Sequence, residues 1–358
     1  MKKIGICILG MVFITLACIL PQPGSAPVKA DTPTAAASRT LAPATASPGL
    51  SSTPSSEAKA LPTRTLILSP SPTRADTVTA APTIEFTPTI TATPGIGSTR
   101  LSETDGIKLV YVPAGKFGMG SNEAQYFAAV RLCLNAGGKI DYCSQSEMLE
   151  KPQHTVYLDA FWIDQTEVTN AMYARCVSAG ACQPPAKPNS INHKLYYDEH
   201  QFDDYPVIWV DWNQADAYCE WAGRQLPSEA QWEKAARGAD GRTYPWGEGI
   251  DCQKANYNTC VGDTTPVGSY PAGASPYGAL DMAGNVLEWV ADWYSASYYS
   301  ISPKRSPTGP PSGDTKILRG GSWDSDIYGN ARSAYRTYCE TGCNLSDIGF
   351  RCAINVAP

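Results

Sequence analysis

The sequence contains few of the residues that mark common catalytic and nucleic-acid-binding proteins. It has only three histidines in 358 residues, His154, His193 and His200, and they form no metal-binding motif. It has no basic tract, and its formal net charge of -6 argues against nucleic acid as a partner. It also has no G-x-S-x-G nucleophile elbow and no phosphate-binding glycine loop. The sequence therefore gives no indication of a hydrolase or a nucleotide-binding enzyme that uses those motifs.

The N-terminus predicts an export signal over residues 1–20. Two lysines precede an almost unbroken apolar run from Ile4 to Leu20, which is short for a membrane-spanning helix. Leu16-Ala17-Cys18 resembles a bacterial lipoprotein cleavage site, at which Cys18 would be lipidated. Cleavage after Val28-Lys29-Ala30 and retention as an uncleaved anchor are the alternatives. All three export the rest of the chain to the cell surface or the periplasm, and lipidation or an uncleaved anchor would keep its N-terminus at the membrane.

Residues 21–101 predict a disordered linker. This stretch consists mainly of Thr, Pro, Ser and Ala and has almost no aromatic residue, so it has too little apolar surface to form a core. Its proline content favours extended conformations, so it would act as a tether. The remaining residues, 102–358, are sufficient for one domain.

Cysteine usage agrees with export, because ten of the twelve cysteines lie after the linker. Eight of these ten form close pairs in the sequence, and Cys219 and Cys352 are left over. No pair has the C-x-x-C spacing of zinc sites, which favours disulfides over metal binding. Short loops are easy to close, so we expect local pairing. The candidate pairs are Cys133 with Cys143, Cys176 with Cys182, Cys252 with Cys260, and Cys339 with Cys343.

The domain reads as mixed α+β with little regular secondary structure. Residues 108–117 contain two apolar runs around Pro113-Ala114-Gly115, which predicts a hairpin, and residues 155–163 predict a strand. Asn213 is a candidate cap for one helix that ends at Gly223. Ser228 and Gln231 form a capping box for a second helix.

Eight motifs follow one another in an order that resembles the formylglycine-generating enzyme, or sulfatase-modifying factor, family. They are VPAGKFGMGS at 112–121, DQTEVTN at 164–170, PVIWVDW at 206–212, GRQLPSEAQWE at 223–233, YPWG at 244–247, GNVLEW at 284–289, RGGSW at 319–323 and GFRC at 349–352. The resemblance implies a compact, loop-rich α+β fold distantly like C-type lectins. Structural alternatives for single motifs are an ion pair between Arg224 and Glu229 and core positions for the tryptophans.

The resemblance also implies structural calcium. The segment 281–288 matches one that binds calcium in the family through the side chains of Asp281 and Glu288 and the carbonyls of Gly284 and Val286. In the alternative, Asp281 caps the turn and Glu288 meets an arginine. A second family site would map to Asn256 and Tyr257. Asp263 is the candidate acidic partner for that second site.

Active members of the family oxidise a cysteine in a Cys-x-Pro-x-Arg peptide, using copper(I) held by two cysteines after the R-G-G-S-W motif. Thiolates suit copper(I), but here no cysteine lies between Trp323 and Arg332, and Ser325 stands near the first cysteine position. Copper is therefore not expected. Replacement of the missing ligands by Cys339 and Cys343 is the alternative, although their spacing also suits a local disulfide.

Two functions remain open. The first is a non-oxidase module on a long tether, which binds a peptide, a glycan or a partner protein. Its predicted pocket consists of Ser322, Asp324, Asp326 and Arg332, of which Ser322 and Arg332 match residues that line the family's pocket. The second is a formylglycine-generating oxidase or a related metal-dependent oxidoreductase. Whether the chain is an enzyme is thus undecided by sequence.

Overall fold

The computed structural model describes residues 93–258, 260–325 and 328–356. The predicted signal at residues 1–20, including Cys18, and most of the predicted linker lie outside these ranges. A first strand at Thr99–Leu101 shows that the folded region begins before residue 102, so the predicted linker end at residue 101 is a few residues too late. Within the described ranges, no helix combines the length and apolarity needed to cross a membrane.

The described residues form a mixed α+β domain in which loops connect short strands and helices, as predicted. The strands are β1 (Thr99–Leu101), β2 (Lys108–Val112), β3 (Gly115–Met119), β4 (His154–Leu158), β5 (Phe161–Asp164), β6 (Leu287–Trp293), β7 (Thr315–Arg319), β8 (Arg336–Glu340), β9 (Ile348–Phe350) and β10 (Ala353–Asn355). The helices are α1 (Glu123–Asn135), α2 (Ile140–Met148), α3 (Asn170–Ser178), α4 (Trp212–Trp221), α5 (Glu229–Arg237) and α6 (Tyr298–Ile301).

The strands make three small sheets. One four-stranded antiparallel sheet has the order β1-β2-β5-β10, and β3 and β4 form a two-stranded sheet. A second four-stranded sheet has the order β8-β7-β6-β9, with β6 and β9 parallel and the other pairs antiparallel. This second sheet is built from the last third of the chain, and β7 leads directly into the R-G-G-S-W motif.

The predicted hairpin at residues 108–117 is wrong, although both of its strands exist. β2 pairs with β1 and β5, whereas β3 pairs only with β4. β2 buries four consecutive side chains, which suits a position between two other strands. The chain then leaves that sheet at Pro113, whose nitrogen cannot donate a ladder hydrogen bond. The strand predicted at residues 155–163 is likewise divided into β4 and β5, which belong to different sheets.

Both predicted helices are present, and the predicted cap is correct for one of them. Ser228 caps α5, its hydroxyl accepts from the Gln231 backbone N–H, and the Gln231 side chain accepts from Ser228 N. Gly238 follows the helix in a left-handed conformation. The cap of α4 is Asp211 rather than Asn213, and Asp211 forms a capping box with Gln214.

Helices α1 and α2 form a hairpin whose position was not predicted. Asn122 caps α1, and the disulfide between Cys133 and Cys143 joins the two helices. Their buried contacts are few, since Ala129, Val130 and Cys133 are the buried residues of α1. Such a weakly apolar face leaves only a faint helical periodicity in the sequence.

All four predicted disulfides are present, and the two remaining cysteines of the domain, Cys219 and Cys352, form a fifth. The fifth joins residues separated by 133 positions and ties α4 to the segment after β9. In the chain-entropy account, cross-links stabilise by restricting the unfolded chain. That effect suits a domain with so many loops.

Buried ion pairs connect α5 to the second four-stranded sheet. Glu229 binds Arg336 through both carboxylate oxygens, at 2.7 and 2.8 Å, and Glu233 binds Arg319 at 2.6 Å. The predicted pair of Arg224 with Glu229 is therefore wrong. Arg224 instead binds Asp105 and lies 3.3 Å from a carboxylate oxygen of Asp164, which places it against the first sheet.

The tryptophans of the motifs divide between core and part-buried positions. Trp289 and Trp323 are buried, as predicted for core residues. Trp209, Trp212 and Trp246 are only partly buried. The Trp212 ring lies 3.8 Å from Lys316 Nζ in a cation–π contact, so its role is also structural.

We predict that Asp292 makes the stability of the domain depend on pH. Burial, with a smaller contribution from the Glu229 carboxylate, raises the pKa of Asp292 to about 7. The unfolded pKa is about 3.9. The folded state therefore holds this proton more tightly, and stability from this group falls as pH rises from about 4 to about 7.

The measurement is the free energy of unfolding by urea between pH 5 and pH 8. In the unaltered chain, Asp292 should lower the free energy of unfolding by up to about 1.4 kcal/mol for each pH unit of increase. We expect this contribution to the slope to be lost in Asp292→Asn. Asp198→Asn, at an exposed position, is the matched control. Parallel profiles for the unaltered chain and Asp292→Asn would show that the burial of Asp292 has no such effect.

Candidate functional site

Two glycines shape the loop that begins at the end of β7. Gly320 and Gly321 have φ values of 94° and 72°, which disfavour residues with a Cβ. A Cβ at Gly321 would also lie 2.6 Å from the Asn330 carbonyl oxygen, and one at Gly320 would lie 3.1 Å from the Trp232 ring. The two glycines therefore let the loop turn tightly over α5 and present Ser322 and Trp323.

Ser322 belongs to a small acidic group. Its hydroxyl donates to a carboxylate oxygen of Asp347 at 3.0 Å, and Ser322 itself is buried. Burial raises the pKa of Asp347, and the nearby carboxylate of exposed Asp324 raises it further. Ser322 and Asp324 thus lie near the same Asp347 carboxylate. Asp347, which completes the group, was missed because it lies 25 residues away in the sequence.

Ser325 fills its position with hydroxyl and backbone contacts. Its hydroxyl oxygen accepts from Ser322 N at 2.9 Å, and its carbonyl oxygen accepts from Asn258 N at 3.0 Å. Asn258 has a φ of 47°, in the left-handed region that costs energy for residues with a side chain. The Ser325 position, predicted to correspond to the first copper cysteine, is therefore a hydrogen-bonded turn without sulfur.

Arg332 does not join this group. It is buried and makes a bidentate ion pair with Glu150, with N–O distances of 2.9 and 2.6 Å. The Ser121 hydroxyl donates to the same Glu150 carboxylate. Glu150 thus joins the segments that carry Arg332 and Ser121, and the structure divides the predicted pocket into two places. The remaining predicted member, Asp326, lies outside the described residues.

The place that Arg332 lines is a cavity of about 730 Å³ between α1 and the loop at residues 241–250. Neither Ser322 nor Asp324 lines it. Helix α1 also packs against the 3₁₀ turn at Tyr328–Ala331, just before Arg332. The cavity is lined by Ser121, Ala124, Gln125, Ala128, Ala129, Arg131, Leu132, Asn135, Arg237, Thr243, Tyr244, Glu248, Gly249, Ile250, Arg332 and Ala334.

The cysteines of the described region offer no thiolate pair in this structure, since all ten form disulfides. Cys339 and Cys343, the proposed replacements for the copper ligands, are bonded to each other. Copper(I) sites of this kind need deprotonated sulfur, which a disulfide does not provide. The residues present therefore do not fit a copper site made of two thiolates.

Glu288, a predicted calcium ligand, already has a cationic partner. Arg351 donates to both of its carboxylate oxygens at 2.7 Å, and the Trp232 indole N–H donates to one of them at 2.8 Å. The alternative in which Glu288 meets an arginine is thus confirmed. Within the described ranges, no group of three or more His, Cys, Asp or Glu side chains is arranged to hold a metal ion. Calcium binding at this segment stays a prediction.

The other predicted calcium ligands also have protein partners. Asp281 accepts from Gly268 N at 2.6 Å, and its backbone φ of 56° places it in a tight turn. The Asn256 side-chain amide donates to the Asp263 carbonyl oxygen at 2.8 Å. The Asp263 carboxylate accepts from the Ser190 hydroxyl, so the predicted second site is a hydrogen-bonded junction between loops. Its other predicted member, Tyr257, is buried.

This fold and its glycine-led R-G-G-S-W loop correspond to a known class of domain. A family model described as the sulfatase-modifying factor enzyme 1-like domain matches residues 98–356. The chain belongs to the formylglycine-generating enzyme family. The prediction made from the eight motifs is therefore confirmed.

The relatives that match this chain are named as different kinds of protein. Serine/threonine-protein kinase pkn1 of Chlamydia caviae is 36% identical over 263 residues, which cover 70% of this chain but only 38% of that protein. The formylglycine-generating enzyme of Streptomyces coelicolor is 36% identical over 257 residues, covering 57% of this chain and 81% of the enzyme. The structure of PvdO from Pseudomonas aeruginosa matches with a TM-score of 0.58 at 26% identity, covering 74% of this chain and 100% of PvdO.

We predict that Glu288→Ala destabilises the domain whether or not calcium is present. The substitution leaves the buried Arg351 guanidinium without its carboxylate, which typically costs about 3–5 kcal/mol. The measurement is thermal unfolding of the unaltered chain and the variant, each with and without a chelator. Glu123→Ala, at an exposed carboxylate on α1, is the control. A midpoint that falls with chelator in the unaltered chain but not in Glu288→Ala would instead support calcium at this segment.

Proposed function

We propose that this chain is an exported, membrane-tethered member of the family that binds a peptide segment of a partner protein and does not generate formylglycine. The observation that carries the proposal is the turn at Ser325. A serine hydroxyl is a hard oxygen ligand, and here it accepts a hydrogen bond from Ser322 N. Copper(I) prefers soft sulfur, so this turn is suited to structure and recognition rather than to holding the metal.

The cavity beside α1 supports peptide binding. Ala128, Leu132 and Ile250 supply apolar surface, and Arg131 and Glu248 supply opposite charges at exposed positions. A mostly apolar concavity with a few polar and charged groups is the usual form of a ligand site. Apolar and charged side chains of a peptide would match these two kinds of surface.

The walls of this cavity are held in place before any ligand arrives. Arg332 is fixed by Glu150, and Arg237 donates to Glu233 and to the Gly120 carbonyl oxygen. The disulfide between Cys133 and Cys143 fixes the end of α1. Such preorganisation reduces the entropy lost on binding.

Export and tethering are the other parts of the proposal. The lipoprotein-like segment around Cys18 and the Pro-rich residues that follow it favour a domain displayed on a stalk. Five disulfides in the folded part favour an oxidising compartment. Cell surface and periplasm both meet that condition.

A formylglycine-generating oxidase is the second candidate, and the 36% identity to the Streptomyces coelicolor enzyme favours it. The two candidates predict different products from one assay. We expect that the purified chain, copper(I) and a Cys-x-Pro-x-Arg peptide in air yield no aldehyde, as followed by peptide mass. An aldehyde that forms with the unaltered chain and is lost in Cys339→Ser with Cys343→Ser would support the oxidase.

A selection from a displayed peptide library tests peptide binding directly. We expect the unaltered chain to enrich a set of peptides. These peptides should bind the Ala128→Trp variant at least about tenfold more weakly than the unaltered chain, because the indole would occupy the cavity next to Leu132. Ala179→Trp, at an exposed residue that ends α3, is the matched control. Peptides that bind both variants equally would place recognition elsewhere and overturn the assignment of this cavity.

A further inference from the structure

We propose that the disulfide between Cys339 and Cys343 is a redox-sensitive switch for the loop at residues 341–347, which connects β8 to β9. In the oxidised form this loop is held against the R-G-G-S-W loop. A dithiol reductant would break the S–S bond by giving two electrons and two protons to Cys339 and Cys343, and its own two sulfurs would form a disulfide. None of the residues involved lines the cavity beside α1, so the proposal does not depend on the peptide-binding role.

Access for a reductant divides the five disulfides into two groups. Three of them consist entirely of buried cysteines; they are Cys133 with Cys143, Cys176 with Cys182, and Cys219 with Cys352. Cys339 and Cys343 are both half-buried, whereas Cys252 is exposed and its partner Cys260 is half-buried. An attacking thiolate must reach a sulfur atom, so these last two disulfides are the ones open to reduction in the folded chain.

The 341–347 loop has little burial to hold it once the disulfide is broken. None of residues 341–347 is buried. The segment that the other accessible disulfide closes, residues 252–260, buries Ala255, Asn256 and Tyr257. Segments with few buried contacts open most easily, so loss of the sulfur link matters more for the 341–347 loop. Cys339 with Cys343 is therefore the disulfide whose reduction would change the conformation most.

Backbone hydrogen bonds connect the 341–347 loop to distant parts of the chain. In each of them a carbonyl oxygen of the loop accepts from an N–H group outside it. The pairs are Trp209 N with the Leu345 oxygen at 3.1 Å, Trp212 N with the Thr341 oxygen at 3.1 Å, and Leu287 N with the Asp347 oxygen at 2.8 Å. Trp212 begins α4 and Leu287 begins β6, so release of the loop would affect both elements.

Side chains connect the same loop to the R-G-G-S-W loop. The Ser322 hydroxyl donates to the Asp347 carboxylate at 3.0 Å, and the Trp323 indole N–H donates to the Ser346 carbonyl oxygen at 3.4 Å. Both acceptors come from the 341–347 loop. The acidic group around Ser322 is therefore complete only while this loop stays in place, which links the state of the disulfide to the candidate site.

Trp209 is held in a strained backbone conformation at the edge of the loop. Its φ is 59°, in the left-handed region that costs energy for a bulky aromatic residue. Its N–H donates to the Leu345 oxygen, and its carbonyl oxygen accepts from Ala186 N at 2.9 Å. The loop therefore supplies one of the bonds that maintain the strain. Release of the loop would let Trp209 relax, which gives the switch a second arrangement to adopt.

Graded reduction tests whether this disulfide opens first. The purified full chain is incubated with increasing dithiothreitol, free thiols are alkylated without unfolding, and peptides are mapped by mass. We expect alkylation of Cys339 and Cys343 at a dithiothreitol concentration at least about tenfold lower than the three buried disulfides require, because access governs exchange. Alkylation of Cys339 and Cys343 only together with the buried pairs would overturn the proposal.

Amide hydrogen exchange, read by mass spectrometry, tests whether the loop is released. Trp209, Trp212 and Leu287 donate their amides to the loop, so we expect peptides that contain them to exchange at least about tenfold faster after selective reduction. The double variant Cys339→Ser with Cys343→Ser should show the same increase without reductant. The reduced, unaltered chain gives this measurement without any substitution.

The double variant Cys252→Ser with Cys260→Ser is the matched control, because it removes the other accessible disulfide. Its exchange at Trp209, Trp212 and Leu287 should equal that of the unaltered chain. Unchanged exchange at these amides once Cys339 and Cys343 are reduced would show that the disulfide does not hold the loop. An equal increase in the control variant would show that the effect is not specific to this disulfide, and it would overturn the proposal as well.

Discussion

The domain depends on arginine–carboxylate pairs that are withdrawn from water around α5. Arg319, Arg336 and Arg237 are almost fully buried, and each binds Glu229 or Glu233 of that helix. Removing one member of such a pair leaves a buried charge without compensation, which typically costs about 3–5 kcal/mol. The pairs also demand a fixed geometry, because a guanidinium donates in a planar fork. A short helix can therefore fix the relative positions of strands that have few apolar residues.

The position of the candidate site depends on these buried ion pairs. Arg319 is the last residue of β7, so its pair with Glu233 fixes the strand end from which Gly320 and Gly321 turn. Trp232, on the same helix, packs beneath Gly320 and donates to Glu288, which in turn binds Arg351. The R-G-G-S-W loop is thus supported by the same contacts that organise the core.

Sulfur has a structural use throughout the described part of this chain. The ten cysteines found there are paired, and the pairs cross-link helices, strands and loops of the domain. Copper chemistry would need cysteine sulfur in the thiolate form, whereas an oxidising compartment favours the disulfide form. The combination of the family fold, paired cysteines and a hydrogen-bonded serine turn is the reason for proposing recognition in place of oxidation.

The sequence by itself determined the family, the α+β class, the four local disulfides and the cap of α5. These features depend on residues close together in the chain, or on motifs in a fixed order, so spacing reveals them. Tertiary structure alone decided the partners of β2 and β3, the ion pairs of Arg224 and Glu229, and the joining of Arg332 to Glu150, which lies 182 residues away. It also separated Arg332 from Ser322. Those pairings depend on burial and on which distant strands and charges meet in the folded chain. The spacing of residues in the sequence does not show which of them will meet.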